Sequence, residues 1–307
     1  MLTATRTVTG KWGTTPSEPM AGLVLTRRIV VKDGRPEVRV DISVTNPTPS
    51  TKMFGYWAQQ CFTPAGQLDG VTYFRPGSLG VNRQQEQRKL LGTPGSPEIC
   101  YVKNPVAGWM ATVDPTAKAG FAFLMDYNEM SWLYNCVGMN ATEWMYQRVV
   151  LPPGKTWNTQ YSIVPFSGLD RVAHASGFGV LAITPAEKAD SLDLTFSVVR
   201  SVADGEKLTL TGEVENLITH EKVPIPAHEL GPLTDQPQSF TFTRPGPLQH
   251  QIIVRAQLQY GEATRSRAES FEWFYGGKLG YSGQNMRLDL SPIYVIPAPA
   301  RQRPYAG

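Results

Sequence analysis

The most constraining feature of this chain is a strict two-residue alternation. Val38, Val40, Ile42 and Val44 are separated by Arg39, Asp41, Ser43 and Thr45. A period of two over that length describes a strand with one buried and one wet face. It is preceded by an apolar run, Leu23, Leu25 and Ile29 to Val31, and by Lys32-Asp33-Gly34-Arg35, whose Asp-Gly centre marks a hairpin turn. Asn46-Pro47 closes the strand. The same punctuation recurs along the chain. With 28 glycines and 25 prolines set between short apolar runs, the 307 residues describe many strands joined by turns.

Further strands are expected at 108–113, 120–127, 131–138, 142–151 and 156–165. Residues 64–100 are expected as loop, and the polar run Asn82 to Lys89 within them as a solvated loop or short helix. One helix is expected, Leu169–His174, ended by Gly177 and Gly179, with Thr184–Lys188 as a linker. From there Leu192, Leu194, Phe196 and Val198 alternate again. Leu208, Leu210 and Val214, Phe240–Phe242, Gln251–Tyr260 and Arg265–Tyr275 continue the pattern. That spacing over about 100 residues predicts an immunoglobulin-like sandwich without the antibody disulfide. The expected organisation is a β domain over 1–183, an immunoglobulin-like sandwich over 184–290, and a linker or tail over 291–307.

Several function classes are set aside by composition. A net charge of +3 with scattered Lys and Arg does not describe a nucleic-acid surface. No apolar run approaches the ~20 residues of a membrane span, and residues 1–20 hold no apolar signal core. The strand-like start and the Pro-rich end suggest a piece of something longer, so other domains of a longer polypeptide are expected as partners. The sequence leaves localisation open. Cys61, Cys100 and Cys136 form no disulfide framework and are expected as buried free thiols, with one bridge plus one free thiol as the alternative. No metal or cofactor motif appears.

Three passages resemble the C-terminal half of a galactose-mutarotase-like supersandwich: Gly22 to Gly34 running into Val38 to Thr48; Tyr56-Trp57-Ala58-Gln59-Gln60; and Thr142-Glu143-Trp144 followed by Val150 to Ile163, with its Pro152-Pro153-Gly154-Lys155 turn. The likeness covers about residues 5–166. It implies that the first strands of the full fold are absent from this chain or come from a preceding segment. The resemblance also places Glu143 where aldose epimerases carry a general base. The acid of that pair is a histidine, and all four histidines here lie at 174 or beyond. Opening a hemiacetal needs one proton taken and one given, so the usual chemistry lacks a partner in the first domain.

Aromatic rings stack on the apolar faces of sugars, and amides, carboxylates and Arg bind their hydroxyls. Trp57, Gln59, Gln60, Tyr73, Arg75, Asp126, Trp132 and Gln147 are the candidate carbohydrate-binding residues, with Glu143 the candidate catalytic one. Side chains 143, 145 and 147 share one face of their strand, and Trp144 and Tyr146 the other. Trp109, Tyr134, Trp144 and Tyr146 complete the aromatic set, for which core packing competes with a sugar site. The leading expectation is a non-catalytic carbohydrate-binding or accessory protein of a polysaccharide-processing system. The alternatives are a sugar-active enzyme (epimerase, lyase or hydrolase) using Glu143 as acid or base, and a structural β module of a larger assembly.

Overall fold

A computed structural model describes residues 1–8, 11–12, 15–16, 20–32, 35–66, 70–77, 80–85, 99–103, 105–136, 141–200, 207–231, 234–249, 251–260 and 267–276. The first unit contains β1 (Leu2–Thr7), β2 (Lys11–Trp12), β3 (Thr15–Pro16), β4 (Val24–Lys32), β5 (Arg35–Thr45), β6 (Lys52–Phe54), β7 (Trp57–Gln60) and β8 (Thr72–Gly77). It continues through β9 (Gly80–Gln85), β10 (Ile99–Lys103), β11 (Trp109–Asp114), β12 (Ala119–Met125), β13 (Met130–Cys136), β14 (Ala141–Tyr146), β15 (Val149–Leu151) and β16 (Thr156–Ser167). The second unit holds β17 (His174–Ser176), β18 (Gly179–Glu187), β19 (Ser191–Val199), β20 (Leu208–Asn216), β21 (Lys222–Leu230), β22 (Gln238–Pro245), β23 (Ile252–Tyr260) and β24 (Arg267–Tyr275). The fold is all-β.

An eight-stranded antiparallel sheet, β1-β4-β5-β16-β12-β11-β8-β9, forms the centre of the molecule. One face packs on a four-stranded sheet, β10-β13-β14-β7, around Val40, Ile42, Val44, Phe123, Trp144 and Tyr161. The second unit is a sandwich of β17-β18-β19-β22 on β21-β20-β23-β24, with its own core of Leu181, Ile183, Leu192, Phe196, Val214 and Val254. Its first sheet also packs on the back of the eight-stranded sheet. There Phe74, Trp109, Ala111, Val113, Ala122 and Phe166 meet Ala175, Val180, Ala182 and Val199.

This stacking explains two kinds of sequence pattern. β5 alternates because its back face is wet, where Arg28, Arg39 and Asp41 form ion pairs at 2.6–3.0 Å. β11 reads as near-continuous apolar sequence because Met110 faces one core while Trp109, Ala111 and Val113 face the other.

Several expectations are corrected. Residues 169–173 form no helix: Leu169 and Val172 are buried, but in an irregular connection between the two units that begins at Gly168 with φ +84°. Their helix-like spacing serves to bury two side chains in the shared core. The expected linker 184–188 lies largely in β18, which pairs with β19 from Val180↔Val199 to Glu187↔Leu192. Within 64–100, expected as loop, the chain forms β8, β9 and the start of β10. Of the run 82–89, residues 82–85 are strand and the remainder lies outside the described residues, as does all of the expected tail 291–307. Cys61 is free but exposed. Cys100 and Cys136 sit on neighbouring strands, and their side chains lie outside the described residues.

Candidate functional site

β14 is flanked by β13 and β7, with Tyr134↔Glu143↔Gln59 in register as one row across three strands. The next row is Trp132↔Met145↔Trp57. Which face these rows occupy follows from their neighbours. Ala58, Leu133, Trp144 and Tyr146 are buried in the core between the sheets, so the alternating residues point to the outer face. A register irregularity between Met130 and Trp132 lets both Met130 and Leu133 face inward and turns Trp132 outward.

Glu143 is only 3% exposed although it lies on this outer face. Its Oε1 accepts a hydrogen bond from Gln59 Nε2 at 2.7 Å. Its Oε2 is buried with no hydrogen-bond partner among the described residues. Burial pushes its carboxyl above the usual carboxylate range, with Gln59 and Trp57 opposing the shift. Burial and the nearby Glu143 carboxylate likewise raise the Cys61 thiol. Trp57 is 56% exposed, a rare state for an indole and the opposite of Trp144, which is 0% exposed and packs edge-on to Tyr161 at 4.8 Å.

The other sequence candidates go elsewhere. Gln60 faces inward and donates to the Tyr161 hydroxyl at 3.0 Å. Tyr73 and Arg75 are 0% and 2% exposed. They lie on the face of β8 opposite Phe74, which packs toward the second unit, so they point between the sheets. Asp126 caps the 3-10 turn Tyr127–Glu129 by accepting from the Asn128 N–H at 3.1 Å. Gln147 lies just past the end of β14, is exposed, and its backbone N–H donates to the Glu129 carbonyl at 2.9 Å. The structure thus brings Trp57, Gln59, Trp132 and Glu143 together and separates them from the remaining five. Tyr134 and Met145 complete the face; the even spacing of β13 and the odd spacing of β14 carry that signal once the pairing is known. Thr142 is buried, and its hydroxyl accepts from Asn135 Nδ2 at 3.1 Å.

No group of three or more His, Cys, Asp or Glu side chains among the described residues is placed to hold a metal ion. Among those residues no helix is long and apolar enough to cross a membrane.

No protein-family model and no curated protein matches the chain. Solved structures that resemble it include the Slr1438 protein of Synechocystis sp. PCC 6803, at 10% identity and TM-score 0.35, covering 48% of this chain and 57% of that one. A galactose mutarotase related enzyme from Lactobacillus acidophilus aligns at 11% identity and TM-score 0.34, over 49% of this chain and 63% of that one. A polysaccharide lyase aligns over 82% of this chain at 10% identity and TM-score 0.32. The chain therefore spans 57%, 63% and 33% of these proteins' lengths. Likeness at this level leaves function to the geometry of the site.

Proposed function

We propose that this chain binds carbohydrate on the outer face of its four-stranded sheet without turning it over, as a binding or accessory unit of a polysaccharide-processing system. One juxtaposition carries the reading. The exposed Trp57 indole lies one strand pair from Glu143, whose Oε1 is held by Gln59 and whose Oε2 accepts no hydrogen bond from the described residues. An open ring offers a stacking platform to a pyranose. A buried acceptor without a donor invites a hydroxyl. Glu143 is the one carboxylate on this face among the described residues, which supports binding over turnover, since glycoside hydrolysis uses two carboxyl groups and anomeric proton transfer uses an acid and a base.

A second reading, turnover with Glu143 as acid or base, is favoured by the upward shift of its carboxyl, which a general acid at neutral pH requires. On the architectural side, we read the unit of β1–β16 as a partial mutarotase-like supersandwich and the unit of β17–β24 as immunoglobulin-like, which moves the expected boundary at 183 back to the connection before β17. The strand order β18-β19-β22 against β21-β20-β23-β24 supports the latter, since it matches the alternation of strands between the sheets of such sandwiches.

Calorimetric titration with neutral oligosaccharides, paired with a reducing-sugar assay, tests both readings. Trp57→Ala is expected to weaken binding about tenfold or more, a loss of about 1.4 kcal/mol. Glu143→Gln is expected to leave binding within about threefold, below half of that energy. Turnover by the natural chain that Glu143→Gln abolishes would establish the enzymatic reading instead. No binding at millimolar sugar removes both.

A further inference from the structure

The outer face of the four-stranded sheet carries two adjacent rows of opposite character. One row is apolar: Trp132, Met145 and Trp57, from β13, β14 and β7. The next is polar: Tyr134, Glu143 and Gln59, from the same three strands. Trp57 and Gln59 are exposed, and Trp132, Tyr134 and Met145 are half-buried, so both rows reach the surface except at Glu143. Rows run across the strands. Neighbouring strands lie about 4.8 Å apart, so the backbones that bear the two indoles are roughly 10 Å apart, with Met145 between them.

Glu143 anchors the exposed ends of both rows. Its Oε1 accepts from Gln59 Nε2 at 2.7 Å. That bond fixes the amide with its carbonyl oxygen turned away from the carboxylate, as an acceptor at the exposed end of the polar row. The Trp57 N–H lies close enough to the same carboxyl to lower its pKa. The face is therefore a strip of ring, thioether and ring beside a strip of phenol, carboxylate and amide. A pyranose has the same division, with C–H groups on its faces and hydroxyls around its rim. In a β-1,4-linked hexopyranose chain the rings follow one another in a straight ribbon, each turned over relative to the last. Rings n and n+2 thus present the same face, at a repeat close to the separation of the two indoles. An α-1,4-linked chain curls, and three of its successive rings do not lie along one straight row.

We infer that the occupant of this face is a straight, β-1,4-linked hexopyranose chain lying across the strands. One ring stacks on Trp57, the next covers Met145 and the third meets Trp132, while hydroxyls along one rim bond to Gln59 and Tyr134. The inference rests on the carbohydrate reading of the outer face and adds to it the linkage, the direction and the number of sugar units. A single sugar engages one end of the apolar row; three units are needed to span it.

The test is calorimetric titration of the full chain with the cello-, manno- and chito-oligosaccharide series, from one to four units, and with maltotriose as the curved control. In at least one β-1,4 series the affinity is expected to rise tenfold or more from one unit to three and to change less than threefold from three to four. Maltotriose is expected to bind at least tenfold more weakly than the best trisaccharide. Trp132→Ala is expected to weaken trisaccharide binding at least tenfold; the length and linkage series on the natural chain carries the test should that variant fold poorly. If one unit binds as well as three in every series, or maltotriose binds as well as the β-1,4 trisaccharides, while Trp57→Ala still weakens binding, this inference fails and the outer-face reading stands. If no sugar binds at millimolar concentration, or Trp57→Ala leaves binding unchanged, both fail together. Sedimentation velocity of the sugar-free chain completes the test: a dimer that Trp57→Ala dissociates would mean that a second copy covers this face, and the proposal would be lost.

Discussion

Glu143 and Trp144 are adjacent in sequence and opposite in fate. A strand sends successive side chains to opposite faces, so the sequence already separates them; it does not say which is inside. The sheet pairing decides, putting the indole in the core and the carboxylate on the outer face, yet still 3% exposed. A carboxylate whose pKa is raised by burial is disfavoured as the anion in the folded state. The folded chain therefore takes up a proton before the unfolded chain does as pH falls, and stability gains through that range. At neutral pH the charge costs stability, so Glu143→Gln, which keeps the Gln59 contact without the charge, is expected to raise the thermal midpoint. Differential scanning calorimetry at pH 7 and pH 4 checks the sign, because the advantage should shrink at the lower pH. The same method measures the reverse case: Trp144→Ala empties a core position and should cost about 3–5 kcal/mol.

At the scale of elements, the corner after β5 shows how much a short motif specifies. Asn46 is 0% exposed. Its Nδ2 donates to the Ser50 and Leu151 carbonyls, both at 2.8 Å, and its Oδ1 accepts from the Thr48 N–H at 3.1 Å and hydroxyl at 2.7 Å. Its backbone N–H donates to the Lys155 carbonyl, and the Gly154 N–H donates to its own carbonyl. The Asn-Pro-Thr and Pro-Pro-Gly-Lys turns, about a hundred residues apart, are thus one structure. Asn46→Asp places an acceptor where two carbonyls need a donor. It is expected to destabilise by about 3 kcal/mol or more, read as a lowered urea midpoint at unchanged m-value. Both turns are legible in the sequence, but their contact is not. The mistaken helix at 169–174 has the converse cause: apolar residues three apart fit a helix, and equally fit a connection that buries two side chains between sheets.

At the scale of the molecule, the two sandwiches share a third core, so neither is complete alone. Ala182, buried at that junction, is the place to test this. The natural chain is expected to unfold in one calorimetric transition, and Ala182→Asp, which buries an unpaired carboxylate there, to split it in two. The junction also sets an acid limit. Burial raises the Glu269 carboxyl, but hydrogen bonding and charge from His174, with help from Ser176, outweigh it and hold the group below its ordinary value. Its contribution is present above the unfolded carboxylate range, about pH 4 to 5, and fades as pH falls through and below it. The thermal midpoint should drop over that interval, and less steeply in His174→Phe, where the partner is gone. By itself the sequence determined the strand class, the turns and the face each strand residue shares, because backbone pleating imposes a period of two on any chain. Tertiary structure alone decided which face is inside, that Trp57, Gln59 and Glu143 meet while Tyr73 and Arg75 do not, and that His174 finds Glu269. Those facts depend on pairings between segments whose separation along the chain leaves no local trace.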